Sequence, residues 1–143
     1  MHEVLRLKQS DWDVMLKHVQ ACAPLEACGL LGGQGDFVQI VIPVSNSERS
    51  PVRFRMDPAE QLHAFGLIEE RNMELVGIFH SHTGDEASGS VAPGGPSPTD
   101  VAEAAYPVVQ IIWSRRAGQW SARGYRINGG RIASVTLEVS VGE

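Results

Sequence analysis

The chain has 143 residues, with 12 Lys plus Arg against 17 Asp plus Glu, and so a formal charge of −5. Apolar residues at 43% and charged residues at 20% suit one ordinary globular domain and exclude a disordered chain. A mildly acidic chain with no basic block is a poor nucleic-acid binder, and no apolar run approaches the roughly 20 residues of a membrane span. The first eight residues alternate charged and apolar side chains, so they contain no signal-peptide core. Two cysteines, Cys22 and Cys28, make no disulfide framework, and a cytoplasmic location with reduced thiols is expected.

In chain order, Ser10 reads as a helix N-cap with Asp13 three residues on. Met15, Val19 and Cys22 follow at helical spacing, and Pro24 ends the run. Cys28 to Gly32 is short and apolar, a buried strand. Gln34-Gly35-Asp36 turns the chain into a second strand, Phe37 to Val44. Asn46 to Pro51 is a polar loop. Asp57-Pro58-Ala59-Glu60 is a helix start with cap, Pro at the first position and Glu at the third, and Leu62, Phe65 and Ile68 give that helix an apolar face. Leu75 to Phe79 is a third strand that runs into His80. Residues 83 to 96, rich in Gly, Ser, Ala and Pro, read as a loop. Ser97-Pro98-Thr99-Asp100 opens a short helix to about Ala105. Val108 to Trp113 is another buried strand, and Ala117-Gly118 and Asn128-Gly129-Gly130 are hairpin turns between strands near 119–127 and 131–139. The sum is one α/β domain over residues 1–143, with a mixed sheet, two or three helices and an antiparallel C-terminal end.

His80-Ser81-His82 is the segment richest in chemistry. Side chains two apart on a strand share a face, so the two imidazoles converge at the strand's end, an arrangement that suits Zn²⁺. Asp100, in the first turn of the next helix, is the candidate third ligand, which leaves a fourth position for water. Its plain reading is a carboxylate complementing the helix dipole, and that of Ser97 is an N-cap. Hydrolysis by zinc-bound water needs a general base that does not ligate the metal. Glu26 is the candidate, provided that the strand Cys28–Gly32 lies beside the one ending in His80. The chain contains no His-Glu-x-x-His, no deaminase His-x-Glu with Pro-Cys-x-x-Cys, no Walker loop, no Gly-x-Gly-x-x-Gly and no usable Gly-x-Ser-x-Gly.

Together, Glu26-Ala27-Cys28-Gly29-Leu30-Leu31-Gly32, His80-Ser81-His82 and Ser97-Pro98-Thr99-Asp100 resemble the JAMM (MPN+) metalloprotease family. Phe54-Arg55-Met56-Asp57-Pro58 and Leu75 to Phe79 resemble its small prokaryotic members, and the likeness spans about residues 3 to 139. The resemblance implies a three-layer α/β fold related to cytidine deaminases. It implies one zinc ion on His80, His82 and Asp100, Glu26 as general acid/base, and Ser97 at the oxyanion. The implied activity is hydrolysis of a peptide or isopeptide bond after the C-terminal glycine of a ubiquitin-like or sulfur-carrier protein ending Gly-Gly. The alternative is a non-catalytic MPN-type binding or scaffold module, against which all five positions are intact. The sequence departs from the family in having Thr83 where Pro is usual, and 14 residues between His82 and Ser97 where seven are common. Cys28 reads as a small buried hydrophobe, His63 as a surface residue, and Trp113 and Trp120 as packing residues. Oligomeric state is not legible in the sequence.

Overall fold

The computed structural model describes residues 3–85, 96, 100 and 106–141. The N-terminal alternation forms strand β1 (Glu3–Lys8), in which Leu5 and Leu7 are buried and Arg6 between them faces solvent. Helix α1 (Gln9–Cys22) follows directly. Its cap lies two residues earlier than the sequence suggests: Lys8 is the N-cap, and its backbone N–H donates to the Asp11 carboxylate at 3.1 Å. Both Asp11 and Asp13 fit a capping pattern, and the strand ending at Lys8 decides for the first.

Strands β2 (Cys28–Gln34) and β3 (Phe37–Val44) form a hairpin through Gly35, whose φ of 61° suits a residue without a Cβ. Helix α2 (Pro58–Glu70) starts as the sequence predicts, with the Asp57 side chain accepting from the Glu60 N–H at 2.9 Å. Its buried side is Ala64 and Ile68, with Phe65 half-buried, whereas Leu62, expected on that face, is 73% exposed. Strand β4 (Glu74–Asp85) continues three residues past the second histidine, so residues 83–85, expected in a loop, are strand. There the Thr83 hydroxyl donates to the Pro51 carbonyl at 3.0 Å, and Arg115 donates to the Thr83 carbonyl at 2.9 Å. Strands β5 (Val109–Arg116), β6 (Gln119–Asn128) and β7 (Arg131–Ser140) complete the described elements as an antiparallel meander. The remainder of the expected loop, Ser97 and most of the helix beginning there lie outside the described residues; Asp100 is helical.

The sheet runs β1-β3-β2-β4-β5-β6-β7 and closes, because β1 also pairs in parallel with β7 from Glu3↔Val135 to Lys8↔Ser140. The mixed sheet with its two helices agrees with the expected α/β fold, and its closure is a feature that the sequence reading did not include. The layering survives locally, since alternation along β2 and β4 sends side chains to two faces. Leu31 and Phe79 join Leu5, Leu7, Met15, Val19 and Trp113 on the α1 side, while Leu30 and Ile78 join Ala64, Met56 and Val44 on the α2 side. The edges nevertheless meet through β1, whose alternation is a strand signal as well as an argument against a signal peptide. Among the described residues no helix is long and apolar enough to cross a membrane.

Gly29 explains one requirement of the Cys-Gly-Leu-Leu-Gly segment. A Cβ there would sit 2.2 Å from the Phe79 ring and 2.7 Å from the Ile42 carbonyl oxygen. The partner strand and a core aromatic therefore occupy the space a side chain would need.

Candidate metal centre and cleft

β2 and β4 lie side by side with Cys28 opposite His80. This is the condition on which Glu26 depends. The ladder extends beyond β2: the Ser81 N–H donates to the Ala27 carbonyl at 3.0 Å, and the Ala27 N–H donates to the Ser81 hydroxyl at 2.8 Å. Ser81, between the two histidines, thus ties the Glu26-Ala27 backbone to the histidine strand. Sequence reading gave it no role.

His80 and His82 project from the same face of β4, with their Nε2 atoms 3.3 Å apart. Asp100 meets both, Oδ1 at 3.1 Å from His80 Nε2 and Oδ2 at 2.8 Å from His82 Nε2. One ligand atom from each residue lies within 4.8 Å of the others. Two nitrogens bound to one tetrahedral zinc at 2.0–2.1 Å stand about 3.3–3.4 Å apart, so the imidazoles are already at ligand spacing. His80 is 2% exposed, stacks on Phe54 at 4.6 Å between ring centroids, and has an Nδ1 with no hydrogen-bond partner among the described residues. Burial holds its pKa below the ordinary histidine value, which favours the neutral, ligating form. A buried, neutral imidazole beside a second imidazole and a carboxylate fits a borderline-soft divalent cation.

Glu26 is 4% exposed and shares one cleft with His80 and Asp100. Burial pushes its pKa up from 4.5 to about 7, against the opposing pull of His82 and with a smaller push from Asp100. The folded protein therefore holds a proton that the unfolded chain releases at lower pH. The resulting stability is complete below pH ~4.5 and is lost as pH rises through about 7. Metal-free Glu26→Gln, which has no proton to lose, should match the parent near pH 4 and exceed it by about 3 kcal/mol above pH 7. Thermal unfolding in chelator at pH 4, 6 and 8 checks this; an equal difference at every pH would overturn it.

The loop between β3 and α2 is organised by Asn46, which the sequence reading also passed over. Its amide nitrogen donates to the Glu26 and Arg53 carbonyls, both at 3.0 Å, and its oxygen accepts from the Glu48 and Arg55 N–H groups, both at 3.0 Å. A backbone bond from the Glu26 N–H to the Ser50 carbonyl at 2.8 Å completes the clamp. All four hydrogen-bonding capacities of one half-buried amide are used. Asn46→Ala should cost about 1–3 kcal/mol in urea unfolding, and Asn46→Asp at least as much, because it sets a carboxylate oxygen against the two carbonyls that the amide nitrogen serves. A loss below a few tenths of a kcal/mol would show that the loop holds Glu26 without it.

Cys28 is buried and its thiol is pushed up to about 12 by burial, in keeping with a packing role. Trp113 is wholly buried against Trp12, with ring centroids 4.6 Å apart, and Trp120 is half-buried beneath Arg115. His63 is exposed.

Residues 8–127 match the family model for prokaryotic homologs of the JAB domain. The chain belongs to the prokaryotic JAB family. The CysO-cysteine peptidase of Mycobacterium tuberculosis is 34% identical over 140 residues, which cover 95% of this chain and 91% of that protein. A desampylase of Haloferax volcanii is 30% identical over 133 residues, covering 88% and 91%. The solution structure of protein DSY2949 from Desulfitobacterium hafniense superimposes with a TM-score of 0.83 at 30% identity, over 97% of this chain and 94% of that one. The sheet and helices described above are thus shared with a solved protein over almost the whole chain.

Proposed function

We propose that this chain is a zinc-dependent hydrolase that cleaves a peptide or isopeptide bond after the C-terminal glycine of a ubiquitin-like or sulfur-carrier protein. The observation that carries the reading is the convergence of His80, His82 and Asp100 with the buried Glu26 carboxyl in the same cleft. Family membership and two relatives whose names denote a peptidase and a desampylase support the substrate class.

His80, His82 and Asp100 would hold the zinc, whose chemistry is to polarise a carbonyl and to acidify a water. Glu26 takes a proton from the attacking water and delivers it to the leaving amine. A carboxyl buried in the same cleft as the ligand residues is placed to accept that proton and to return it. The Ser81–Ala27 ladder and the Asn46 clamp fix the backbone from which Glu26 projects. Ser97, in the role its family position implies, donates to the developing oxyanion.

Zinc-loaded protein should release a single cysteine from a sulfur-carrier protein extended past Gly-Gly, or the lysine of a ubiquitin-like conjugate, as read by intact mass. Cleavage at any other bond, or of neither substrate, overturns the reading.

A further inference from the structure

Strand β5 is apolar from Val109 to Trp113 except at Gln110. The register places Gln110 opposite Ile78 of β4, on the face that carries His80 two residues further on. That separation is roughly 6–7 Å along the strand. Gln110 is only 7% exposed, yet its side chain makes no hydrogen bond to any described residue. It lines a cleft of about 670 Å³ that also contains Glu26, His80 and Asp100. Its amide is not among the sealed, unpartnered groups that His80 Nδ1 and Trp113 Nε1 represent, and the residue lines that cleft. An amide at a cleft wall without a protein partner keeps its donor and its acceptor for whatever enters the cleft.

The cleft walls are mixed, with Glu48, Arg53 and Arg55 beside apolar side chains. Phe54, Met56 and Ile78 line the cleft, and Val52, 75% exposed, stands at its mouth. An extended polypeptide presents the N–H and C=O of one residue along the same edge, as in the hydrogen-bonded pairs of an antiparallel ladder. A glutamine amide offers one donor and one acceptor side by side and matches that edge. We infer that Gln110 is a substrate-binding residue, whose amide pairs with the backbone of one extended residue of the substrate polypeptide beside the scissile bond. The inference rests on the hydrolase reading and adds a subsite to it. The ligand is a main-chain peptide unit, so Gln110 selects for extended conformation and not for a side chain.

The test is Gln110→Met in the full zinc-loaded chain, with Gln110→Leu as a second apolar replacement. Binding is measured by calorimetry in a Glu26→Gln background, with a sulfur-carrier protein ending Gly-Gly plus one added cysteine as the probe. Thermal unfolding is followed in parallel. The expected result is a Kd raised about tenfold by either replacement, with zinc content unchanged and Tm at or above that of the parent. A purely structural role would lower Tm and leave Kd alone, and that outcome overturns the inference. So does a Kd within twofold of the parent at any Tm. A parent that fails to bind the carrier overturns the hydrolase reading and Gln110 with it; a parent that binds while both variants bind equally well overturns Gln110 alone.

Discussion

Glu26→Gln should fold, retain its metal and lose about 10²–10⁴-fold in kcat. The replacement keeps the shape of a side chain that is 4% exposed and held by backbone bonds from both sides, Ala27 to Ser81 and Asn46 to the Glu26 carbonyl. Packing is therefore nearly conserved. What disappears is the capacity to accept a proton from water and return it to a leaving amine, a barrier increase of about 3–5 kcal/mol. Steady-state kinetics on a cleavable carrier fusion, with metal content measured on the same samples, separates the two readings of this carboxylate. Lost activity with zinc retained assigns it to proton transfer. Lost zinc with an intact fold would make it part of the metal site instead.

Zinc should bind at about one ion per chain, and His82→Ala should weaken it by a factor on the order of 10²–10³. Nε2 of each histidine and the two Asp100 oxygens already converge, so removal of one imidazole takes away a ligand that needs no rearrangement to bind. His82 is the cleaner target, since its side chain is 24% exposed and its truncation leaves the core intact. His80→Ala should have at least as large an effect on zinc, but it also removes the ring stacked on Phe54 and opens a buried void. Metal analysis after dialysis of parent, His82→Ala and the double variant checks this; stoichiometric zinc in the double variant would place the ion elsewhere.

The elements that the sequence announced best were those with local punctuation. Asp57-Pro58 opens α2, and the turns at 117–118 and 128–130 bound β6 and β7, because caps and turns act over a few residues. The convergence of His80 with His82 followed from strand alternation alone. The position of Asp100 and the value of Glu26 were less accessible, since both depend on which strands are neighbours. Closure of the sheet through β1 was missed for a related reason. The alternation at Glu3–Lys8 was read only against a signal peptide, and even as a strand signal it would not say which edge the strand joins. Asn46 and Gln110 were passed over differently. Asn46 sits among Ser and Glu in a loop that looks only polar, and its four bonds reach residues up to 20 positions away. Gln110 did leave a signal, as a lone amide inside an apolar strand.

The pairing of β1 with β7 joins Glu3 to Val135, residues separated by nearly the whole chain. During synthesis β1 emerges first and its long partner last. Until then its described pairing is confined to one position on β3, Arg6 with Phe37. The β2–β3 hairpin, the β2–β4 pair and the helices between them need no later segment, so the strands that carry Glu26 and both histidines can assemble before the ring closes. Contacts of such sequence separation form late and slowly, and until then an edge of β1 and one of β7 remain open to pairing with another chain. Substitutions that weaken the β1–β7 seam should thus be felt first in the yield of folded protein, and only afterwards in the chemistry at the opposite part of the sheet.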